Sequence, residues 1–299
     1  MNRLKTFLLA FAAAMVAMPS MAQGVIVCKK DGTRVDFPYE TIDSIVTYHN
    51  VEIPPTGGSV NDGQNKVFTV NGVSFKMIAV KGGTFTMGAT SEQTGAGSDE
   101  SPTHSVTLSD YYIGETEVTQ ELWSAVMGSN PSNFTGNVQR PVEMVSWYDC
   151  QTFISKLNEL TGETFRLPTE AQWEYAARGG NKSKGYIYSG SNTIDDVAWY
   201  DYNSSYTTHP VKTKAPNELG IYDMNGNVCE WCSDWYGSYS SVAQTDPAGP
   251  STGSYRVGRG GSLNSFATYC RVASRNLSTP TNTYDGLGLR FALSLTSKN

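Results

Sequence analysis

Residues 166–179 read Arg166-Leu167-Pro168-Thr169-Glu170-Ala171-Gln172-Trp173-Glu174-Tyr175-Ala176-Ala177-Arg178-Gly179, a stretch that carries its own start and stop signals. Thr169 is a helix N-cap, because its hydroxyl can accept from an otherwise unpaired N–H of the first turn. The spacing predicts a helix over 170–178 that buries Trp173, Ala176 and Ala177 and is ended by Gly179-Gly180. The same logic places two helices before it. Thr119 caps one over 120–127 that buries Leu122, Trp123 and Val126 and stops at Gly128. Ser146 caps another over 147–160, with Asp149 where a capping box needs an acid and Gly162 at its end. Strands are predicted over 67–70, 75–80 and 83–87. After Gly180 roughly a hundred residues offer only short strands and turns, more irregular chain than a compact domain holds unless something pins it. Bound calcium, aromatic plugs such as Trp199, Trp231 and Trp235, and disulfides are the physical means.

The rest of the chain sets the context. It has 299 residues, 17% of them charged, with 29 Gly, 17 Tyr and 6 Trp, a balance that disfavours coiled-coil, helix-rich and disordered classes. Lys+Arg 22 against Asp+Glu 28 gives a net charge of -6, which repels a phosphate backbone, so nucleic acid is not expected as a partner. Residues 1–22 read as a cleaved signal peptide: Arg3 and Lys5, an apolar run over 7–18, then Ser20-Met21-Ala22. That run falls short of the roughly twenty residues a bilayer requires. No membrane association is therefore expected beyond the leader, and the mature chain is expected to be secreted, periplasmic or at the cell surface. Residues 23–50 read as a small β-hairpin unit around Asp31-Gly32, 51–66 as a linker and 67–295 as the main domain. Five cysteines (Cys28, Cys150, Cys229, Cys232 and Cys270) would meet an oxidising compartment, and the odd number leaves at least one unpaired. The Cys229–Cys232 spacing suits zinc, but a second ligand pair is missing.

Seven motifs follow one another along the main domain: Gly82-Gly83-Thr84-Phe85-Thr86-Met87-Gly88, Glu115-Thr116-Glu117-Val118-Thr119, Pro141-Val142-Glu143-Met144-Val145-Ser146-Trp147, the stretch quoted above, Asn217 to Val228, Arg259-Gly260-Gly261-Ser262, and Gly288-Leu289-Arg290-Phe291. In that order they resemble the formylglycine-generating enzyme, or sulfatase-modifying factor, family over residues 67–295. The resemblance implies an α+β fold, a loop-rich variant of the C-type lectin fold, here with a small N-terminal β unit added.

It also implies a site, and a departure from it. Members that make formylglycine oxidise a sulfatase cysteine with dioxygen, using copper(I) held by two cysteines after Arg-Gly-Gly-Ser. Here Cys270 falls on the second of these and Ser265 on the first. A neutral hydroxyl is a hard donor and does not replace a thiolate for copper(I), so copper is not expected to bind. Cys270 is the one catalytic candidate left, open to a disulfide with Cys229 or Cys232, to a free buried state, or to a rebuilt pair with Cys229. The family's calcium loop falls on Asp223, Gly226, Val228 and Glu230, which implies a structural calcium. Between the motif residues near the C-terminus lie Leu263, Asn264, Ser265, Phe266, Thr268, Tyr269, Ser274 and Leu277, with Asn282 and Tyr284 beyond. This interleaving resembles the variable proteins of diversity-generating retroelements and marks these positions as candidate contacts for a protein or glycan ligand. The expected function is a non-catalytic binding module; the alternative is a formylglycine-generating oxidase acting on a sulfatase cysteine.

Overall fold

The computed structural model describes residues 24–28, 34–38 and 64–294, and the chain divides into two units, 1–58 and 59–299. In the first, β1 (Gly24–Cys28) pairs antiparallel with β2 (Arg34–Pro38), Gly24 opposite Pro38 and Cys28 opposite Arg34. The leader, the Asp31-Gly32 turn, the stretch after residue 38 and most of the linker lie outside the described residues.

The second unit is mixed α+β. Its strands are β3 (Lys66–Val70), β4 (Val73–Val80), β5 (Gly83–Met87), β6 (His104–Leu108), β7 (Tyr111–Gly114), β8 (Phe165–Arg166), β9 (Ala198–Trp199), β10 (Asn225–Gly226), β11 (Cys229–Trp235), β12 (Gln244–Thr245), β13 (Arg256–Arg259), β14 (Arg275–Ser278), β15 (Leu287–Gly288) and β16 (Ala292–Ser294). A five-stranded sheet runs β3-β4-β7-β16-β8, so the last strand of the unit sits beside its early strands, with Ala292 opposite Ile113. Two smaller sheets run β12-β6-β5 and β14-β13-β11-β15, and β9 pairs with β10.

The helices form where the capping signals place them. In α1 (Gln120–Met127) the Thr119 hydroxyl accepts from Leu122 N at 3.1 Å and Gly128 closes the helix at φ 78. In α2 (Trp147–Thr161) Ser146 and Asp149 form a reciprocal capping box, and Gly162 ends the helix at φ 72. One core layer packs these two helices on the five-stranded sheet, with Trp123 stacked on Phe153 at 4.9 Å and Phe75 and Phe165 edge-on to Phe291.

α3 (Glu170–Ala177) departs from the expectation of one buried face, because all eight of its residues are buried. Tyr111, Trp173, Tyr175, Met224 and Val257 form the apolar layer around it. Burying a helix on every side forces its charges to find partners inside the protein. Glu170 takes both arms of Arg275, at 2.7 and 2.9 Å, and Glu174 pairs with Arg259 and with Arg178 at 2.9 Å. α4 (Ile194–Val197) is a single turn within the irregular segment.

Candidate functional site

The segment after β13 holds the two positions that decide the copper chemistry. Gly260 and Gly261 both sit in the left-handed region, at φ 95 and 71. A Cβ on Gly261 would lie 2.7 Å from Cys270 Sγ, so glycine lets the backbone close directly over the thiol. Ser265 Oγ accepts from Ser262 N at 2.9 Å and lies 3.1 Å from Ser262 Oγ. The hydroxyl therefore closes a tight turn of its own segment. Cys270 is fully buried beside Ala198 and Tyr200, and burial pushes its thiol up to about 12. Burial does the same to Cys229, whose sulfur receives a long contact from Asn276 Nδ2 at 3.9 Å. Cys150, Cys229, Cys232 and Cys270 are all free and buried, so of the alternatives open for Cys270 the structure takes the unpaired one. With a hydroxyl at 265 where the family has its first thiolate, the segment does not offer the family's thiolate pair, and Ser265 with Cys270 does not fit copper(I).

Of the four positions of the calcium loop, Asp223 and Glu230 are brought to one side chain, that of Arg290. The Glu230 carboxylate accepts from Arg290 Nη2 at 2.7 Å, from Arg290 Nε at 3.1 and 3.0 Å, and from Trp173 Nε1 at 2.7 Å. The same guanidinium donates to the carbonyls of Gly114, Tyr222 and Asp223 at 2.9, 2.8 and 3.3 Å. Asp223 Oδ2 is taken by Lys212 N at 2.9 Å, and burial pushes that carboxyl up to about 6. Gly226 is needed for packing: its φ is 72, and a Cβ there would collide with Trp199 O. Val228 N donates to the buried Glu117 at 2.9 Å. Arg290 thus stands where the oxygens converge, and the set does not fit a calcium cage; among the described residues no group of three or more His, Cys, Asp or Glu is placed to hold a metal. Chelation by EDTA is accordingly expected to move the melting temperature by less than about 2 °C, whereas loss of a saturated structural calcium would remove about 4 kcal/mol. A larger fall on chelation, reversed by calcium, would restore the metal reading.

The candidate ligand contacts divide by burial. Leu263 and Ser274, expected at the surface, are buried at 2% and 5% exposure and support it from beneath. Phe266, Tyr269 and Leu277 are exposed at 67%, 59% and 42%; Asn264 and Thr268 are also exposed, and Ser265 is half-buried. The structure adds two residues that sequence reading missed. Tyr202 and Tyr206, exposed at 83% and 68%, stand on a neighbouring turn tied to this segment by Asp201 N on Ser265 O at 3.2 Å and Ser204 Oγ on Leu263 O at 2.6 Å. Ser205 and Tyr206 both hold left-handed φ values, 57 and 55, a strained arrangement for non-glycine residues. The density of tyrosine over 200–206 was the signal that could have found them.

Comparison with known proteins places the domain in a family. Residues 65–295 match the sulfatase-modifying factor enzyme 1-like domain. The chain is 38% identical over 239 residues to chaperone protein LppX of Paenibacillus barcinonensis, covering 63% of this chain and 79% of that protein. It is 31% identical over 282 residues to the formylglycine-generating enzyme of Streptomyces coelicolor, covering 72% of this chain and 88% of that one. Among solved structures, Treponema denticola variable protein 1 superposes with a TM-score of 0.71 at 36% identity, over 77% of this chain and 99% of that chain. A match that runs through both core layers leaves one conclusion about ancestry: the chain belongs to the sulfatase-modifying factor family and has its C-type-lectin-like fold.

Proposed function

We propose that the protein is a secreted, non-catalytic recognition domain that presents the 263–277 segment and the adjoining 200–206 turn to a protein or glycan ligand. The observation that carries this reading is the coincidence, on one segment, of a disabled copper site and a cluster of exposed aromatic side chains. Phe266, Tyr269, Tyr202 and Tyr206 combine large apolar area with, for the tyrosines, a polar tip, and such residues dominate recognition surfaces. The likeness to a relative named as a chaperone is in keeping with a binding role.

Two measurements test it. A sulfatase-type cysteine peptide supplied with copper(I) and dioxygen is expected to yield no aldehyde with the native protein. Aldehyde formation would sink the non-catalytic reading, and a Ser265→Cys variant that gained copper binding would show the surrounding cleft to be intact. On arrays of glycans and of secreted proteins, a Phe266→Ser/Tyr269→Ser variant is expected to lose at least about tenfold in affinity for whatever the native protein retains, the loss typical of an aromatic anchor. Equal binding by the two proteins would move the ligand to another face.

A further inference from the structure

A cavity apart from the 259–277 segment, with none of its lining residues drawn from it, lies elsewhere in the second unit. This cavity measures about 590 Å³ and lies between β4, the turn after β7, the start of α1 and residues 210–212, a size ordinary for a small-molecule site. Its walls are fastened to one another through the backbone. Glu115 N donates to Lys76 O, Val211 N to Gln139 O and Tyr222 N to Glu115 O, each at 2.9 Å, and Glu121 N donates to Val138 O at 3.0 Å. Lys212 adopts φ 64, and its N–H is held by Asp223. The cavity is therefore preformed, with little ordering left for a ligand to impose.

Two ammonium groups converge on one carboxylate, with Lys76 Nζ on Glu115 Oε1 at 3.0 Å and Lys212 Nζ on Glu115 Oε2. Two further acids line the cavity: Glu121, which accepts from Gln139 Nε2 at 2.6 Å, and Glu117, whose carboxyl burial pushes well above the usual range. Burial also raises Glu115, but the hydrogen bonds from Lys212 and Lys76 outweigh it and leave its carboxyl below the usual value. Phe75 and Phe291 are also among the lining residues.

We propose that the cavity binds a small organic carboxylate, received between Lys76 and Lys212, with its apolar or ring portion against Phe75 and Phe291. Glu115 acts as the resident stand-in, sharing the lysines until a ligand carboxylate takes one of them. The chemistry is that of an acylated amino acid or of a sugar acid, and the probes separate these two sources.

Isothermal titration of the full chain at about 50 mM salt, where surface pairs are only partly screened, would use N-acetylphenylalanine, glucuronate and, as a control lacking the carboxylate, phenylalaninamide. One of the two acids is expected to bind and the amide is not. Lys76→Met and Lys212→Met should each weaken the acid at least about tenfold, while Glu115→Gln, which removes the competitor, should tighten it about fivefold. That gain on removing a charge is the distinguishing result, because damage to the fold would only weaken binding. Thermal melts of each variant confirm folding. The proposal is overturned if neither acid binds the native protein or the Glu115→Gln variant at about 10 mM, if the amide binds equally, or if Glu115→Gln weakens the acid. Its failure would leave the proposed recognition role standing, since no residue is shared with that surface.

Discussion

Replacing Arg290 with methionine is expected to lower the melting temperature by about 10 °C. The guanidinium is fully buried, and among the described residues it is the only cation bonded to Glu230, which is itself 1% exposed. The substitution leaves that carboxylate in the interior with one indole N–H and strips the donor from three carbonyls, those of Gly114, Tyr222 and Asp223. Breaking a buried pair from one side costs about 3–5 kcal/mol, because the surviving charge keeps its desolvation penalty without its compensation. For a domain of this size each kcal/mol moves the midpoint by about 2–4 °C. Thermal unfolding followed by circular dichroism reads the effect directly. Glu230→Gln combined with Arg290→Met should recover a large part of the loss, since no unpaired charge then remains. If the single variant melts with the native protein, Glu230 is solvated and the pair is not part of the interior.

That network is also where the sequence stopped being legible. The helices could be read because their signals are local: Thr119, Ser146 and Thr169 each bond within three residues of themselves, and glycines end the first two helices. Strands over 67–70, 75–80 and 83–87 were likewise found, the first two slightly short of β3 and β4. The interior charges depend on partners far along the chain. Glu170 meets Arg275 across 105 positions, Glu174 meets Arg259 across 85, and Glu230 meets Arg290 across 60. No periodicity announces such pairs. Asp223 and Glu230 on a tight turn read as oxygens for calcium, and nothing local in the sequence shows that the Glu230 carboxylate is bonded by Arg290, an arginine from the C-terminal strand region. The irregular segment needed pinning, as its length implied. Among the described residues, buried Arg–Glu pairs and plugs such as Trp231 contribute to that pinning. Leu263 and Ser274 fall into the same class of error, since alternation along an irregular loop does not say which side chains turn inward.

The cysteines give the second large effect. In the native protein at pH 7, Cys270 and Cys229 are expected to react with iodoacetamide at least about a thousandfold more slowly than a free cysteine, because only the thiolate attacks. A thiol at about 12 is ionised to roughly one part in 100,000 at that pH, against a few parts in a hundred for an unperturbed one. Burial slows the reagent further, and burial likewise raises Cys150 and Cys232. In denaturant without reductant all four should be labelled at once, since none is paired. The two halves of the experiment separate three states that a single reading would merge. Labelling of Cys270 that required reduction would reveal a disulfide, which would remove the thiol from copper chemistry by a different route. Rapid labelling in the native state would reveal an exposed thiolate, and with it a candidate copper ligand that could pair with Cys229. Slow native labelling with full labelling on unfolding leaves Cys270 as a small buried side chain under the Gly261 turn, held there by packing while Phe266 and Tyr269, only a few positions away, face outward.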